Sequence, residues 1–98
     1  MSADKLKVGV IGIGGLAKST HLPAIHEIEG IEIVALCDLI EERATAQAEK
    51  YGVAKTYVLC DEMLEKETLD AVFVLVEPCS LFHVVRRCLS KGIPAFME

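Results

Sequence analysis

A glycine-rich turn directly after an apolar run constrains this chain more than any other feature. Residues 7–11 (Lys-Val-Gly-Val-Ile) are typical of a strand buried on both faces. Residues 12–17 then read Gly-Ile-Gly-Gly-Leu-Ala, a G-x-G-x-x-A pattern that leads into a helix-like segment. Gly12 permits a tight turn, Gly14 lets a pyrophosphate approach the backbone, and Ala17 keeps the helix close to the sheet. Because free N–H groups and the positive dipole end face an anion there, we predict a phosphate-binding turn.

An acidic residue follows the second apolar run, at the spacing from the glycine motif that is typical of a ribose-binding carboxylate. Residues 31–37 are predicted to form a strand, and Asp38 comes next, 21 residues after Ala17. A carboxylate at this place can accept hydrogen bonds from both hydroxyls of an adenosine ribose. The alternative is that Asp38 only caps the next helix, since Asp is a preferred N-cap. Together with the glycine turn, the ribose interpretation is favoured.

Strand-like and helix-like segments alternate along the whole chain, which predicts an α/β fold. The predicted strands are 7–11, 31–37, 55–59, 71–76 and 93–97, and the predicted helices are 16–29, 40–51, 62–66 and a last one from Ser80 to Gly92. Right-handed crossovers then give a doubly wound parallel sheet with strand order 3-2-1-4-5. The glycine turn and the Glu77-Pro78 loop open at the switch point between strands 1 and 4, so we predict the ligand crevice there.

Helix boundaries and faces were predicted from capping residues and spacing. The predicted N-caps are Thr20 (after an irregularity in the first helix, with Pro23 in a new first turn), Asp61 and Ser80. The last helix carries an apolar stripe at i, i+3, i+4, i+7 and i+8, predicted to face the core: Leu81, Val84, Val85, Cys88 and Leu89.

Composition and charge argue against several classes of protein. The 98 residues carry a formal net charge of −5 with scattered Lys and Arg, which does not indicate a nucleic-acid or membrane-binding face. No apolar run approaches the roughly 20 residues of a membrane span, and charged residues lead straight into the first strand. Cys37, Cys60, Cys79 and Cys88 show no C-x-x-C and no paired His spacing. We therefore expect free thiols, no metal site and a cytoplasmic location.

The glycine turn, Asp38, the loop after strand 4 and the terminal Glu98 together resemble one oxidoreductase family. The chain looks like the N-terminal dinucleotide-binding domain of the glucose–fructose oxidoreductase / inositol dehydrogenase / MocA family. The matching segments, spread over nearly all of the chain, are VGVIGIGGLAKSTHLPAI, VALCD, AEKYGV, DAVFV and FME. The resemblance implies a Rossmann-type domain over residues 1–98, followed in the family by a substrate domain. It also implies hydride transfer between NAD(P) and a sugar or related polyol.

The resemblance also assigns cofactor contacts. The implied pyrophosphate loop is Gly12, Ile13, Gly14, Gly15, Leu16 and Ala17, and Asp38 would hold the adenosine ribose. The implied contacts beyond these are Val76, Glu77 and Pro78 beside the cofactor, His83 in the helix behind them, and Glu98 near the nicotinamide ribose. Glu77 departs from the Thr or Asn often found there and makes the crevice more negative.

No catalytic residue is assigned within the chain. The family's acid/base Lys would follow Glu98, so we expect a fragment of a longer two-domain enzyme that binds cofactor without turnover. Two alternatives stay open: a non-catalytic NAD-sensing module, and an S-adenosylmethionine-dependent methyltransferase, which also uses a glycine loop and an acid after strand 2. A turn that runs directly into a helix speaks against the methyltransferase.

NAD is predicted as the preferred cofactor. A 2′-phosphate about 4 Å from Asp38 would cost about 4 kcal/mol at an effective dielectric constant of about 20. Leu39 supplies no compensating cation, and Arg43 is the only cation nearby in the sequence.

An uncovered strand 5 would leave an apolar sheet edge, so we expect self-association.

Overall fold

The sheet at the centre of this computed structural model has five parallel strands in the order β3-β2-β1-β4-β5. The model describes residues 5–14, 20–76 and 78–97, with the side chains of residues 78 and 79 excluded. The strands are β1 (Leu6–Ile11), β2 (Ile31–Cys37), β3 (Lys55–Tyr57), β4 (Ala71–Val74) and β5 (Ala95–Met97). The helices are α1 (Leu22–Glu27), α2 (Glu41–Tyr51), α3 (Cys60–Lys66) and α4 (Pro78–Ser90). The predicted α/β class and strand order are confirmed.

The central strand β1 is buried on both faces, as its sequence predicts. Val8 and Val10 pack in the same cluster as residues of α1 and α2, whereas Ile11 packs with residues of α3 and α4. Gly9 faces the α3 side, where a Cβ would lie 2.9 Å from the terminal methyl carbon of Met63. Two layers of helices therefore cover the sheet, and the loops at its carboxyl edge are left to form a site.

Several strands are shorter than predicted because each strand ends where its partner ends. Strand β3 was predicted to reach Leu59, but its last pairing is Tyr57 with Cys37, the final residue of β2. Strand β4 was predicted to reach Val76, but it ends at Val74, opposite the last residue of β1. The residues past these ends leave the sheet and line the crevice.

The helix starts also differ from prediction. The N-cap of α1 is His21 rather than Thr20, although Pro23 lies in the first turn as expected. Helix α3 begins at Cys60 with Leu59 as N-cap, so Asp61 lies inside the first turn, where a carboxylate suits the helix dipole. Helix α4 begins at Pro78, a favoured first-turn residue, so Ser80 is not its cap.

The apolar stripe of α4 is narrower than predicted. Cys88 is fully buried, but the side chain of Leu89 is 62% exposed, which corrects its assignment to the core. Leu89 lies at the margin of the stripe, and α4 packs over β4 and β5, the last of which forms the edge of the sheet. No further strand lies beyond β5 in the described residues, so the margin of the stripe faces solvent.

None of the described helices is long and apolar enough to cross a membrane.

Candidate functional site

A crevice of about 640 Å³ opens at the carboxyl ends of β1, β2 and β4. It is lined by the turn after β1, the turn after β2, the loop before α3, the end of β4 and one face of α4. Strands β1 and β4 are neighbours in the sheet, but the helices next to them in the chain pack on opposite faces. This is the predicted switch point, where open α/β sheets bind their ligands.

Only glycine fits at position 12. Its φ is +98°, and a Cβ there would lie 2.8 Å from the carbonyl carbon of Leu75 and 2.9 Å from the nitrogen of Val76. Its N–H donates to the carbonyl oxygen of Cys37 at 2.8 Å. Gly12 thus turns the chain out of β1 while its backbone passes close to the end of β4.

Gly14 has a different role from Gly12. A Cβ at Gly14 would meet no atom of the described residues within 4 Å apart from its chain neighbours, and its φ is not in the left-handed region. The space beside this residue belongs to the crevice, so an absent side chain keeps it open to a ligand and does not relieve protein packing. The predicted assignments to Gly15, Leu16 and Ala17 lie outside the described residues.

Asp38 connects two turns of the crevice through its carboxylate. Oδ2 accepts a hydrogen bond from the N–H of Ile13 at 2.7 Å, and Oδ1 accepts one from the N–H of Ile40 at 2.7 Å. The N-cap of α2 is Ile40, so the alternative of Asp38 as that helix's N-cap is wrong. A carboxylate has about four lone-pair sites, so both oxygens can still accept from ribose hydroxyls.

An apolar rim on two facing loops was not predicted as part of the site. The rim consists of Leu39, Ile40, Val58 and Leu59, which are between 36% and 76% exposed and all line the crevice. Val58 and Leu59 were predicted to lie inside strand 3, but β3 ends at Tyr57. No signal in the sequence marks this end, because it depends on where the partner strand β2 ends.

One face of α4 forms the opposite wall. Ser80, His83, Val84 and Arg87 recur at i, i+3, i+4 and i+7 and line the crevice, together with Val76 from the end of β4. Arg87 forms an ion pair with Asp61 of α3, which raises the pKa of the guanidinium. Val76 and His83, two of the predicted cofactor contacts, therefore line the crevice. Pro78 lies in the first turn of α4, whereas Glu77 and Glu98 lie outside the described residues.

Burial disfavours the reactive thiolate form of the described cysteines, because it raises the pKa of all three thiols. Cys37 and Cys60 line the crevice and Cys88 is buried below it, and all three are free. Burial raises the pKa of Cys37 to about 12 and that of Cys88 to about 11, so both are protonated at neutral pH. The described residues contain no group of three or more His, Cys, Asp or Glu suited to a metal ion. The side chain of Cys79 lies outside the described part of the chain.

Comparison with known proteins identifies the family. The family model described as "Oxidoreductase family, NAD-binding Rossmann fold" (GFO_IDH_MocA) matches residues 6–98. The chain belongs to this oxidoreductase family. A D-apiose dehydrogenase from Paraburkholderia graminis is 33% identical over 97 residues, which cover 99% of this chain and 26% of that protein. A myo-inositol 2-dehydrogenase from Thermotoga maritima is 33% identical over 93 residues, covering 95% of this chain and 28% of that protein.

Solved structures of the same fold agree. A dehydrogenase from Chromobacterium violaceum superposes with a TM-score of 0.91 at 30% identity, covering 97% of this chain and 28% of that one. The chain thus spans about a quarter of the length of the relatives it matches. The comparisons therefore establish this chain as an NAD-binding Rossmann domain of the GFO_IDH_MocA oxidoreductases.

Proposed function

We propose that this domain binds NAD in the crevice at the β1–β4 switch point and serves an oxidoreductase that acts on a CH–OH group of a sugar or polyol. One observation carries the proposal: the carboxylate of Asp38 is hydrogen-bonded to Ile13, inside the glycine turn. An acceptor for ribose and a turn open to pyrophosphate are thereby joined in one rigid unit. The bound nicotinamide would supply the hydride chemistry, and the residues of this domain would hold and orient it.

The pyrophosphate would be received next to Gly14. The crevice is open beside this residue, and backbone N–H groups at such a turn are the usual donors to phosphate oxygens. The N–H of Ile13 already donates to Asp38, and the side chain of Ile13 is only 2% exposed. Ile13 therefore supports the turn, and the phosphate donors would be the amides that follow it, including those of Gly15, Leu16 and Ala17.

The adenine would lie on the apolar rim. Leu39 and Ile40 follow Asp38 directly, while Val58 and Leu59 lie on the neighbouring loop, so a base attached to a ribose at Asp38 would reach this rim. Exposed apolar side chains gain free energy when a flat base covers them, at about 25 cal/mol per Å² removed from water. This assignment accounts for apolar side chains that the protein otherwise leaves in solvent.

The same carboxylate favours NAD over NADP. Both oxygens of Asp38 are held by backbone N–H groups, so the side chain cannot turn away from a 2′-phosphate without breaking these bonds. Arg43 is exposed at the crevice and is the cation that could offset this repulsion. We expect NAD to bind at least about tenfold more tightly, which corresponds to about 1.4 kcal/mol.

Calorimetric titration with NADH and with NADPH tests the proposal. We expect saturable binding of NADH and affinity for NADPH that is at least about tenfold lower. Equal affinity for the two would contradict the NAD preference and would assign the 2′-phosphate to Arg43. Binding of S-adenosylmethionine with no binding of NADH would replace the proposal with a methyltransferase. Saturable binding of none of the three would contradict a nucleotide site in this domain.

The substrate would be handled outside this domain. We propose that residues 1–98 act together with a further substrate domain, because the chain spans only about a quarter of the length of the relatives it matches. We also propose that the isolated domain self-associates, because Phe96 and Met97 on the edge strand β5 are 55% and 57% exposed. Sedimentation at increasing concentration tests this, and a monomer at every concentration would contradict it.

A further inference from the structure

We propose that Asp38 is a positioning residue for the phosphate-binding turn, in addition to any contact it makes with ribose. The inference rests on the proposed dinucleotide function and concerns how the turn is held before a ligand arrives. It makes a prediction that a ribose contact alone does not: removal of this carboxylate should weaken ligands that have no ribose hydroxyls.

The evidence is the set of bonds that fixes the turn after β1. Gly12 donates to the carbonyl oxygen of Cys37 at 2.8 Å, and Ile13 donates to Oδ2 of Asp38 at 2.7 Å. The two acceptors belong to consecutive residues at the end of β2. The first two residues of the turn are therefore hydrogen-bonded to two consecutive residues at the end of β2.

Asp38 is itself held by two hydrogen bonds besides the one from Ile13. Its second oxygen accepts from Ile40 at 2.7 Å, and the backbone N–H of Asp38 donates to the carbonyl oxygen of Tyr57 at 3.0 Å. Hydrogen bonds to an ionised acceptor are short and stronger than those between neutral groups. A bond from the turn to so constrained a group restricts the turn itself.

A glycine-rich turn needs such a restraint. Glycine has more backbone conformations to lose than any other residue, and among the described residues nothing beyond the chain neighbours of Gly14 would contact a Cβ there. Ile13 lies between the two glycines; its side chain packs in the core and its N–H donates a hydrogen bond to Asp38. Fixing this one residue at both its side chain and its amide pre-organises the flanking glycines, which lowers the entropy cost of binding an anion.

The test compares Asp38→Ala with the matched control Asp70→Ala. Asp38→Ala removes both carboxylate oxygens, so the N–H groups of Ile13 and Ile40 both lose their acceptor. Asp70 makes the same kind of bond, from the N–H of Lys7 to its Oδ2 at 2.7 Å, but at the opposite end of β1. Thermal denaturation of both variants establishes that they are folded.

The ligands are ADP and 2′,3′-dideoxy-ADP, which share the base and the diphosphate and differ in the ribose hydroxyls. We expect Asp38→Ala to lower the affinity for dideoxy-ADP at least about tenfold, and Asp70→Ala to leave it unchanged. A loss for ADP with no loss for dideoxy-ADP would overturn the inference and leave Asp38 as a ribose contact only. If the wild-type domain binds neither ADP nor NADH, the proposed function fails instead.

Amide hydrogen exchange gives a second readout that needs no ligand. In Asp38→Ala we expect the Ile13 amide to exchange at least about tenfold faster, because a restraint worth about 1.4 kcal/mol is lost. The amide of Leu36, inside β2, should keep its wild-type rate. Unchanged exchange at both Ile13 and Ile40 would overturn the positioning role, whatever the nucleotide affinities.

Discussion

Two glycines two residues apart in one turn should respond in opposite ways to the same substitution. Gly12→Ala should destabilise the fold, whereas Gly14→Ala should leave the fold intact and weaken nucleotide binding. The reason is where the added methyl group would lie. At Gly12 it meets the backbone of Leu75 and Val76 at 2.8–2.9 Å, and at Gly14 it enters the open crevice.

The size of the Gly12 effect follows from two separable contributions. The φ of +98° places alanine in a left-handed region, at about 1–2 kcal/mol, and the backbone clash adds about 1–3 kcal/mol. Gly30→Ala is the matched control, because Gly30 has φ +87° and a Cβ there would meet nothing within 4 Å. We therefore expect Gly12→Ala to lower the Tm well beyond Gly30→Ala, at about 4–8 °C per kcal/mol.

Gly14→Ala carries neither contribution. Its backbone is not left-handed, so alanine changes stability by about 1 kcal/mol or less, with a stabilising effect expected from the unfolded state. The Cβ would, however, occupy the space through which a pyrophosphate approaches, and we expect at least about tenfold weaker NADH binding.

The assays are thermal denaturation for all three variants and NADH calorimetry for those that remain folded. A Gly12→Ala variant as stable as Gly30→Ala would refute the predicted clash with the end of β4. A Gly14→Ala variant that binds NADH like the wild type would refute the assignment of that space to the ligand, even if Gly12 behaves as expected.

Two further predictions concern pH and the apolar rim. Unfolded thiols ionise near pH 9, whereas burial raises the pKa of Cys37 to about 12 and that of Cys88 to about 11, so the folded state holds more protons above pH 9. The free energy of unfolding should therefore fall as the pH rises from 9 towards 11. Urea denaturation at several pH values measures this dependence, which should be weaker in Cys37→Ala. A free energy of unfolding that does not change with pH in this range would contradict the prediction. On the rim, Leu59→Ala should weaken NADH several-fold with little change in Tm, because Leu59 is 59% exposed and alanine is no better than leucine as the N-cap of α3. Ile28→Ala, at a 46% exposed position away from the crevice, should not change NADH affinity.

The sequence predicted those parts of the fold that depend on short-range pattern. The start of the glycine turn at residues 12–14, the second strand and the position of Asp38 each follow from residues close together in the chain, and the structure has these three where expected. Gly52, directly after α2, has φ +71° and ψ +30°, the left-handed C-cap conformation that glycine favours.

The strand ends could not be predicted in this way, because a partner strand determines them. Nothing in the run from Lys55 to Leu59 marks Tyr57 as the last paired residue; that limit is imposed by the end of β2 at Cys37. The same limit at Val74 follows from the turn at Gly12 in the neighbouring strand. The apolar rim was not predicted for this reason, since two of its residues, Val58 and Leu59, extend the strand-like sequence pattern of β3 past its last paired residue.

Asp38 shows most clearly what a linear pattern leaves out. A ribose contact and a cap of α2 were treated as alternatives, but the structure shows a third arrangement in which the carboxylate joins Ile13 of one turn to Ile40 of the next. One group would then both exclude a 2′-phosphate and hold the turn that receives the pyrophosphate. We therefore expect that replacing Asp38 alone will not convert the domain to NADP: the repulsion is relieved, but affinity for both cofactors falls with the loss of the turn's restraint. A substitution that admits NADP without this loss would have to keep an acceptor for the N–H of Ile13.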